Sequence, residues 1–493
     1  MSISKGRNPL TRLDYPDPDV IRVGDTYYIV STTMYFMPGC VILKSYDLVN
    51  WEFCTHVYDT LEDTPRENLD GAHAYGNGMW APVIRYHDGV FHIVFVANDT
   101  HKTYHFTATD IMGPWKKDYI EGFYHDPSLL FDDDGRVYIM YGNREIRVTE
   151  LEADLSRPKE GGINKVVIKD ETGAPLGYEG CHLYKLNGKY YAFFIHSLPD
   201  RWLRVEACFM SDRIDEGWHG GDVIVEEFDG TSGVAQGGIV DTPNGKWYGV
   251  IFGDRGAVGR IPNLVPMTFG EDGFPVFEKP SLDIECESTR PEHVYAPLFV
   301  SDDFSGDSLN GAWEFNHNPK NDHWRLDNGF VTDALAAPNF EMAKNTLTQR
   351  ALWPACAAEV TVDGSKLETG GFAGIAAMQY RYGALGVEKT ADGYRIALKL
   401  REDGEEFVAE TLDIDGCVAT LKVALEFGHG KDYAEFYCLT NGEWKQLGGR
   451  HHIRFDLRHF TGCRFGLFCY TSGEESGCAR FNNFKYKDGS NDI

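Results

Sequence analysis

Three carboxylates recur in one kind of setting. Asp17 lies in Pro16-Asp17-Pro18, Asp126 in Asp126-Pro127-Ser128 and Glu179 in Tyr178-Glu179-Gly180. Each opens a short segment that runs through a glycine turn into a second segment rich in Tyr, Val and Ile. Asp126 stands nine residues before Gly135 and Glu179 nine before Gly188. The same count leads to Trp80 before Gly89 and Gln236 before Gly245. Asp17 stands seven before Gly24 but ten before Tyr27, where the other four stand eleven before the matching position. It therefore holds nearly the same slot, off by one. The slot reads Asp, Trp, Asp, Glu, Gln, whereas a purely structural repeat would carry one residue type throughout. Taken singly, Asp-Pro is a common turn and Glu-Gly says almost nothing; only the shared register makes a site of them. Carboxylates brought to one place repel each other and lose hydration, which drives their pKa values apart. One acid kept protonated beside another kept ionised is the arrangement that glycoside hydrolysis needs.

The elements that must gather these residues are legible as a repeat. Five related segments begin at Asp14, Met79, His125, Tyr178 and Ala235. Their turns carry Gly24-Asp25, Asp88-Gly89, Asp134-Gly135, Asn187-Gly188 and Asn244-Gly245. Asp-Gly and Asn-Gly between such runs are the strongest short hairpin signals. The turn glycines are spaced by 65, 46, 53 and 57 residues, a period that suits four-stranded blades. Five units predict an all-β, five-bladed β-propeller; the competing reading is a sandwich with fortuitous turn similarity. In a propeller, rotation about the axis carries equivalent positions toward one central spot.

The pattern changes near Phe269. Residues 270–300 are rich in Pro and acidic residues and read as a link. Beyond Asp302-Asp303-Phe304 come alternating runs such as Ala358-Glu359-Val360-Thr361-Val362 and Tyr394-Arg395-Ile396-Ala397-Leu398-Lys399. Period-two alternation over many short strands predicts a β-sandwich, jelly-roll-like. The expected division is a catalytic propeller over 1–290 and a sandwich over 300–493. Asp132-Asp133-Asp134 reads as a solvated hairpin turn, and Asp302-Asp303 as surface acids.

The net charge of −28 argues against nucleic acid or an anionic membrane as partner, since both need a basic face. No apolar run is long enough to span a membrane. Met1 to Arg12 has no apolar signal core, and the 11 cysteines are scattered without a CxxC pair. The expectation is a cytoplasmic protein with reduced, buried thiols and no assigned metal ligands. No nucleophilic Ser, Cys or Lys motif stands out.

As a set, these segments resemble glycoside hydrolase family 43, in its α-L-arabinofuranosidase and β-xylosidase branch with a C-terminal sandwich. The resemblance rests on Pro16-Asp17-Pro18-Asp19, on Lys44-Ser45-Tyr46-Asp47-Leu48-Val49-Asn50-Trp51, and on Trp80-Ala81-Pro82. It also rests on Asp126-Pro127-Ser128-Leu129, Glu179-Gly180 and Gly259-Arg260. It implies Asp17 as general base, Glu179 as general acid, and Asp126 beside Glu179, keeping it protonated. It implies a sugar pocket with Trp80, Arg260, Phe36 and Gln236. The implied reaction releases terminal α-L-arabinofuranose from arabinoxylan-derived oligosaccharides with inversion. The alternatives are a β-xylosidase, an enzyme with both activities, or a non-catalytic sugar-binding propeller. The partner is a pentose-containing oligosaccharide, and no oligomeric state is read. Many members carry a His near the axis that contacts a cation. Gln236 stands in its place here and is a poor ligand, so no cofactor is expected and the axial cation is in doubt. Glu206 either pairs with Gln236 or is a surface carboxylate. The resemblance implies a sandwich packed on the propeller, with a loop able to narrow the mouth; the alternative is a separate sugar-binding module.

Overall fold

The computed structural model describes residues 2–428 and 432–489. Among them there is no α-helix, and so no helix long and apolar enough to cross a membrane. Five four-stranded antiparallel sheets form the five blades of a propeller. Their first strands are Asp19–Val23, Val83–His87, Ser128–Phe131, Glu179–Leu186 and Val234–Asp241. Each first strand touches the first strands of both neighbouring blades, and the fifth touches the first, so the ring is closed. Among the described residues no strand is shared between blades. Instead Ile3–Arg7 pairs with Asp283–Glu287 and ties the start of the chain to the end of the propeller.

The hairpins form where the turn chemistry demands. Asp88 and Gly89 have φ 48 and 81, and Asn187 and Gly188 have φ 51 and 79, the left-handed pair that matches strand twist. The turns put the base of every blade at one end. The loops joining second to third strands therefore return to the opposite end, the mouth. They are residues 32–38, 98–101, 142–144, 198–203 and 255–259.

Just inside the mouth the axis is filled by polar side chains from four blades, and the fifth adds the backbone N–H of Ile239. Asp19 Oδ2 accepts from Ile84 N (2.8 Å) and Arg85 Nη1 (2.7 Å), and Oδ1 lies 2.9 Å from His182 Nδ1. Ser128 Oγ accepts from Arg85 Nη2 and Leu183 N, both at 2.9 Å. Tyr184 carries the Arg85 guanidinium over its ring at 5.2 Å and accepts from Ile239 N at 2.9 Å. Burial opposes the charge on Asp19, but Arg85, His182 and the Ile84 N–H outweigh it and its pKa is lowered.

The C-terminal part packs a nine-stranded sheet on a seven-stranded one as a sandwich. The nine-stranded sheet reaches into the propeller: its edge strand is Phe36–Met37, from the mouth loop of the first blade, paired with Glu314–Asn316. One apolar core runs from Leu13, Val20 and Ile261 to Leu347, Phe465 and Leu467. Within this interface Glu314 is buried against Arg350 (3.0 Å), Arg464 and His56 (3.0 Å). Burial pushes its pKa up, but the two guanidiniums and the imidazole hold it well below the usual carboxylate range.

The acidic run at 132–134 is a hairpin turn, but Asp132 is not solvated: it is buried and accepts from Tyr190 Oη (2.5 Å) and Lys185 of the next blade. All 11 cysteines are free and most are buried.

Candidate active site

Asp17 sits at the mouth end of the axis with φ 51 and 7% exposure. Its turn is pinned by Ser31 Oγ donating to Pro16 O (2.7 Å). Thr32 Oγ1 donates to Asp17 Oδ2 at 2.8 Å, and Arg260 Nη1 donates to Oδ1 at 2.7 Å. The Arg260 guanidinium lies between the rings of Phe252 (5.0 Å) and Phe460 (4.5 Å), with Nε 3.5 Å from Asp254. Phe460 belongs to the sandwich, on the loop between its strands Glu443–Ile453 and Arg464–Thr471. Asp14 fixes that junction: one carboxylate oxygen accepts from Arg260 N (2.7 Å) and the other from Gly462 N (2.8 Å). Burial raises the Asp14 pKa and the two N–H groups offset only part of this. The approach is so close that a Cβ on Gly259 would stand 2.2 Å from Asp14 Oδ1 and 2.8 Å from Gly462 Cα.

Asp126 repeats the local geometry of Asp17, with φ 46, and Gln236 does so with φ 61. In the fourth blade the left-handed residue is Gly180 (φ 65), so Glu179 stands one residue ahead of the common slot. A Cβ there would fall 2.6–2.8 Å from the Gln236 side chain lying over it, so that side chain would have to move. Gly180 N donates to Asp126 Oδ2 at 3.0 Å. Asp126, Gly180 and Gln236 thus converge, and Glu179 is presented half-buried toward the mouth.

Glu179 Oε2 accepts from Asn143 Nδ2 and lies 3.6 Å from His125 Nε2, which is also 3.7 Å from Asp126 Oδ2. The Asp126 pKa is raised to about 6. Burial is the main cause, the charges of Glu179 and Asp17 add to it, and His125 opposes it. The His125 pKa is pushed up to about 9, first by Asp126 and then, against burial, by Glu179. Both Asp17 and Glu179 therefore stand close enough to Asp126 for their charges to act on it.

Trp80 joins this group, with ring centroids 5.9 Å from His125 and 5.3 Å from Phe460. Arg260 joins it through Asp17, and Gln236 through Gly180. Phe36 does not: it is fully buried in the edge strand of the sandwich sheet, with Arg464 over its ring at 3.4 Å, and offers no face to a sugar. Glu206 is buried rather than on the surface. It meets Gln236 through the backbone, Oε2 accepting from Gln236 N at 2.6 Å, and burial raises its pKa far above the usual range.

Sequence reasoning missed Thr32, Asn143, His125 and Phe460. Thr32 and Asn143 lie just after the second strand of a blade, where the chain returns to the mouth, and that position was readable. His125 precedes Asp126 directly. A sandwich loop at the mouth was expected, but Phe460 itself, outside the repeat, was not singled out.

The ligand atoms of His125, Asp126 and Glu179 lie within 4.8 Å of one another, a set that could hold a cation. Two N–H donors, from Asn143 and Gly180, already point at those carboxylate oxygens. Between them stands His125, whose raised pKa favours the protonated imidazole.

A closed five-bladed propeller with three carboxylates, an arginine and aromatic rings at one end of its axis has the build of a carbohydrate-cleaving enzyme. Residues 6–275 match the model of glycosyl hydrolases family 43, and residues 301–487 match the beta xylosidase C-terminal concanavalin A-like domain. The chain belongs to glycosyl hydrolases family 43 and is a glycoside hydrolase. It is 26% identical to a beta-xylosidase of Formosa agariphila over 97% of this chain and 90% of that protein. It is 28% identical to xylosidase/arabinosidase 43B of Humicola insolens over 90% of this chain and 88% of that one. Among solved structures, a bifunctional GH43-CE protein of Bacteroides eggerthii is 37% identical with a TM-score of 0.91 over 99% of this chain. This chain spans 64% of that longer protein.

Proposed function

We propose that the enzyme removes a terminal pentose from xylan-derived oligosaccharides, with β-xylopyranose as the first candidate and α-L-arabinofuranose as the second. The sequence alone leaned toward arabinofuranose. The relatives weigh the other way: one is named a beta-xylosidase and another a xylosidase/arabinosidase. The two sugars present similar hydroxyls, so one pocket can serve both. The 11 unbridged cysteines suit a reducing compartment such as the cytoplasm.

The observation that carries the reading is the unlike setting of two carboxylates at one mouth. Asp17 is buried, with its oxygens held by Arg260 and Thr32. Glu179 is half-exposed and steered by Asn143. In the proposed reaction a water oxygen bonds to the anomeric carbon and its proton passes to Asp17. The bond to the departing oxygen breaks, and that oxygen takes the proton of Glu179. An inverting pair needs roughly 6.5–9.5 Å between its carboxyl groups. Asp126 fixes the Gly180 amide and so the backbone that presents Glu179. Trp80 gives the sugar an apolar wall and Arg260 offers a planar fork to its hydroxyls. Phe460, against both, narrows the pocket as an enzyme that takes only chain ends requires.

The test is a panel of 4-nitrophenyl glycosides followed by proton NMR of the first anomer released. Cleavage of the β-xyloside, with α-xylose appearing first, is expected. First release of β-xylose would refute inversion, and failure to cleave any pentoside would refute the substrate class.

A further inference from the structure

The mouth has two unlike sides. The sandwich loop closes one: Phe460 packs on Trp80 of the second blade and on Arg260 of the fifth, and Gly76 N donates to His459 O of the same loop at 3.3 Å. The other side belongs to the third and fourth blades, which supply Asn143 and Glu179. Under the proposed function, Glu179 protonates the departing oxygen, so the rest of the substrate leaves across the fourth blade.

The mouth loop of that blade, residues 198–203, carries Trp202, which is 52% exposed. The loop is closed by Leu198 N donating to Leu203 O (3.1 Å) and Leu203 N to Arg201 O (3.0 Å). Trp202 is anchored from one side: Arg204 holds its guanidinium 5.5 Å from the ring centroid. Arg204 is itself largely buried, paired through Nε with Asp254 and lying over Phe252 at 5.6 Å. Phe252 and Asp254 are the same two residues that flank Arg260. A continuous line of contacts thus runs from the exposed indole through Arg204, Asp254 and Arg260 to Asp17.

We infer that Trp202 is the platform for the sugar on the leaving side of the scissile bond, and that the enzyme selects oligosaccharides with a pyranose ring there. This inference rests on the pentosidase reading of the site. An indole gives a large flat apolar face that suits the C–H face of a pyranose, and it loses little conformational freedom on binding. With Arg204 holding it, the ring is oriented before substrate arrives. On this inference the terminal pentose sits at Asp17, and the neighbouring ring is the part that meets the fourth-blade loop.

The test compares the wild-type enzyme with Trp202→Ala and Trp202→Phe on two substrates sharing the same terminal pentose, a xylotriose-based oligosaccharide and the methyl glycoside. The quantity read is the ratio of their kcat/KM values. Trp202→Ala is expected to lower that ratio about 10-fold, chiefly through KM for the oligosaccharide, and Trp202→Phe to restore most of it. Inhibition by the free pentose is expected to be equal in all three proteins, which locates the loss outside the terminal-sugar pocket. A ratio within two-fold of wild type in Trp202→Ala would overturn the role of Trp202. If wild type cleaves neither substrate, it is the pentosidase reading that fails.

Discussion

Two layers of polar residues lie one above the other on the propeller axis, and they are built in opposite ways. The inner layer, Asp19, Arg85, Ser128, His182 and Tyr184, is closed on itself: each member meets a partner from another blade. The mouth layer, Asp17, Asp126, Glu179 and Gln236, is strained and crowded. Three of its positions hold non-glycine residues with φ near +50 to +60, where such residues are uncommon. One of its acids is shifted to about 6 and its histidine to about 9. A satisfied buried network specifies structure, whereas an unevenly satisfied one holds protons in transferable positions. Both layers hold ionisable acid and base groups, so residue type alone does not separate scaffold from site; the pattern of partners does.

Substitutions can break this contrast. The largest effect on turnover is expected from Glu179→Gln, a loss of at least 10^3-fold in kcat/KM on an oligosaccharide with unchanged thermal stability, in the range of lost general-acid catalysis. Asp19→Ala is expected to do the reverse. It strands Arg85 in the interior at a cost of about 3–5 kcal/mol, read as a lower midpoint in chemical denaturation. Because the folded pKa of Asp19 is depressed, its contribution is present above the unfolded value near ~4 and is lost as pH falls through the lower folded value. Equal losses of stability in the two variants would erase the distinction between the layers.

A pH experiment sharpens the contrast further. His125 is raised from 6.5 to about 9. Its stabilisation is fully present below pH 6.5 and disappears as pH rises through about 9. His125→Phe should therefore flatten the alkaline decline of melting temperature between those limits. The same change removes the cation that opposes the upward shift of Asp126, so the acid limb of kcat/KM should move to higher pH. An unmoved limb would separate Asp126 from the working titration. A smaller effect is expected from Phe460→Ala: a several-fold rise in KM with kcat little changed, since Phe460 shapes the pocket and carries no proton.

The fold was largely legible, because a repeat of hairpins leaves few architectures and rotation brings its equivalent positions together. That symmetry pointed to Asp126, Trp80, Gln236 and Glu179 in one register and to Asp17 one residue off it; in the structure it is Glu179 that stands one residue ahead of the left-handed slot, which in that blade falls on Gly180. It did not reveal the inner layer: Arg85 and Tyr184, each four residues before a turn glycine, and His182, six before one, differ in type from their counterparts in other blades, and a lone Arg or His in a strand reads as surface. Asp132 was misjudged as solvated for the same reason, since its partners Lys185 and Tyr190 come from another blade. Phe36, put in the pocket by the resemblance, lies elsewhere, because its own strand pairs with residues 314–316, far along the chain. Phe460 was out of reach for the same cause: nothing in a propeller repeat announces a side chain delivered by another part of the molecule.

The central claim is that radial symmetry assembles a hydrolytic pair from distant carboxylates, with Asp17 as the base. It is tested most directly by Asp17→Asn, assayed for turnover of a pentose-terminated oligosaccharide and for melting temperature in the same preparation. The account predicts a protein that melts within a few degrees of wild type and turns over at least 10^3-fold more slowly. Near-wild-type turnover in a normally folded Asp17→Asn enzyme would contradict it.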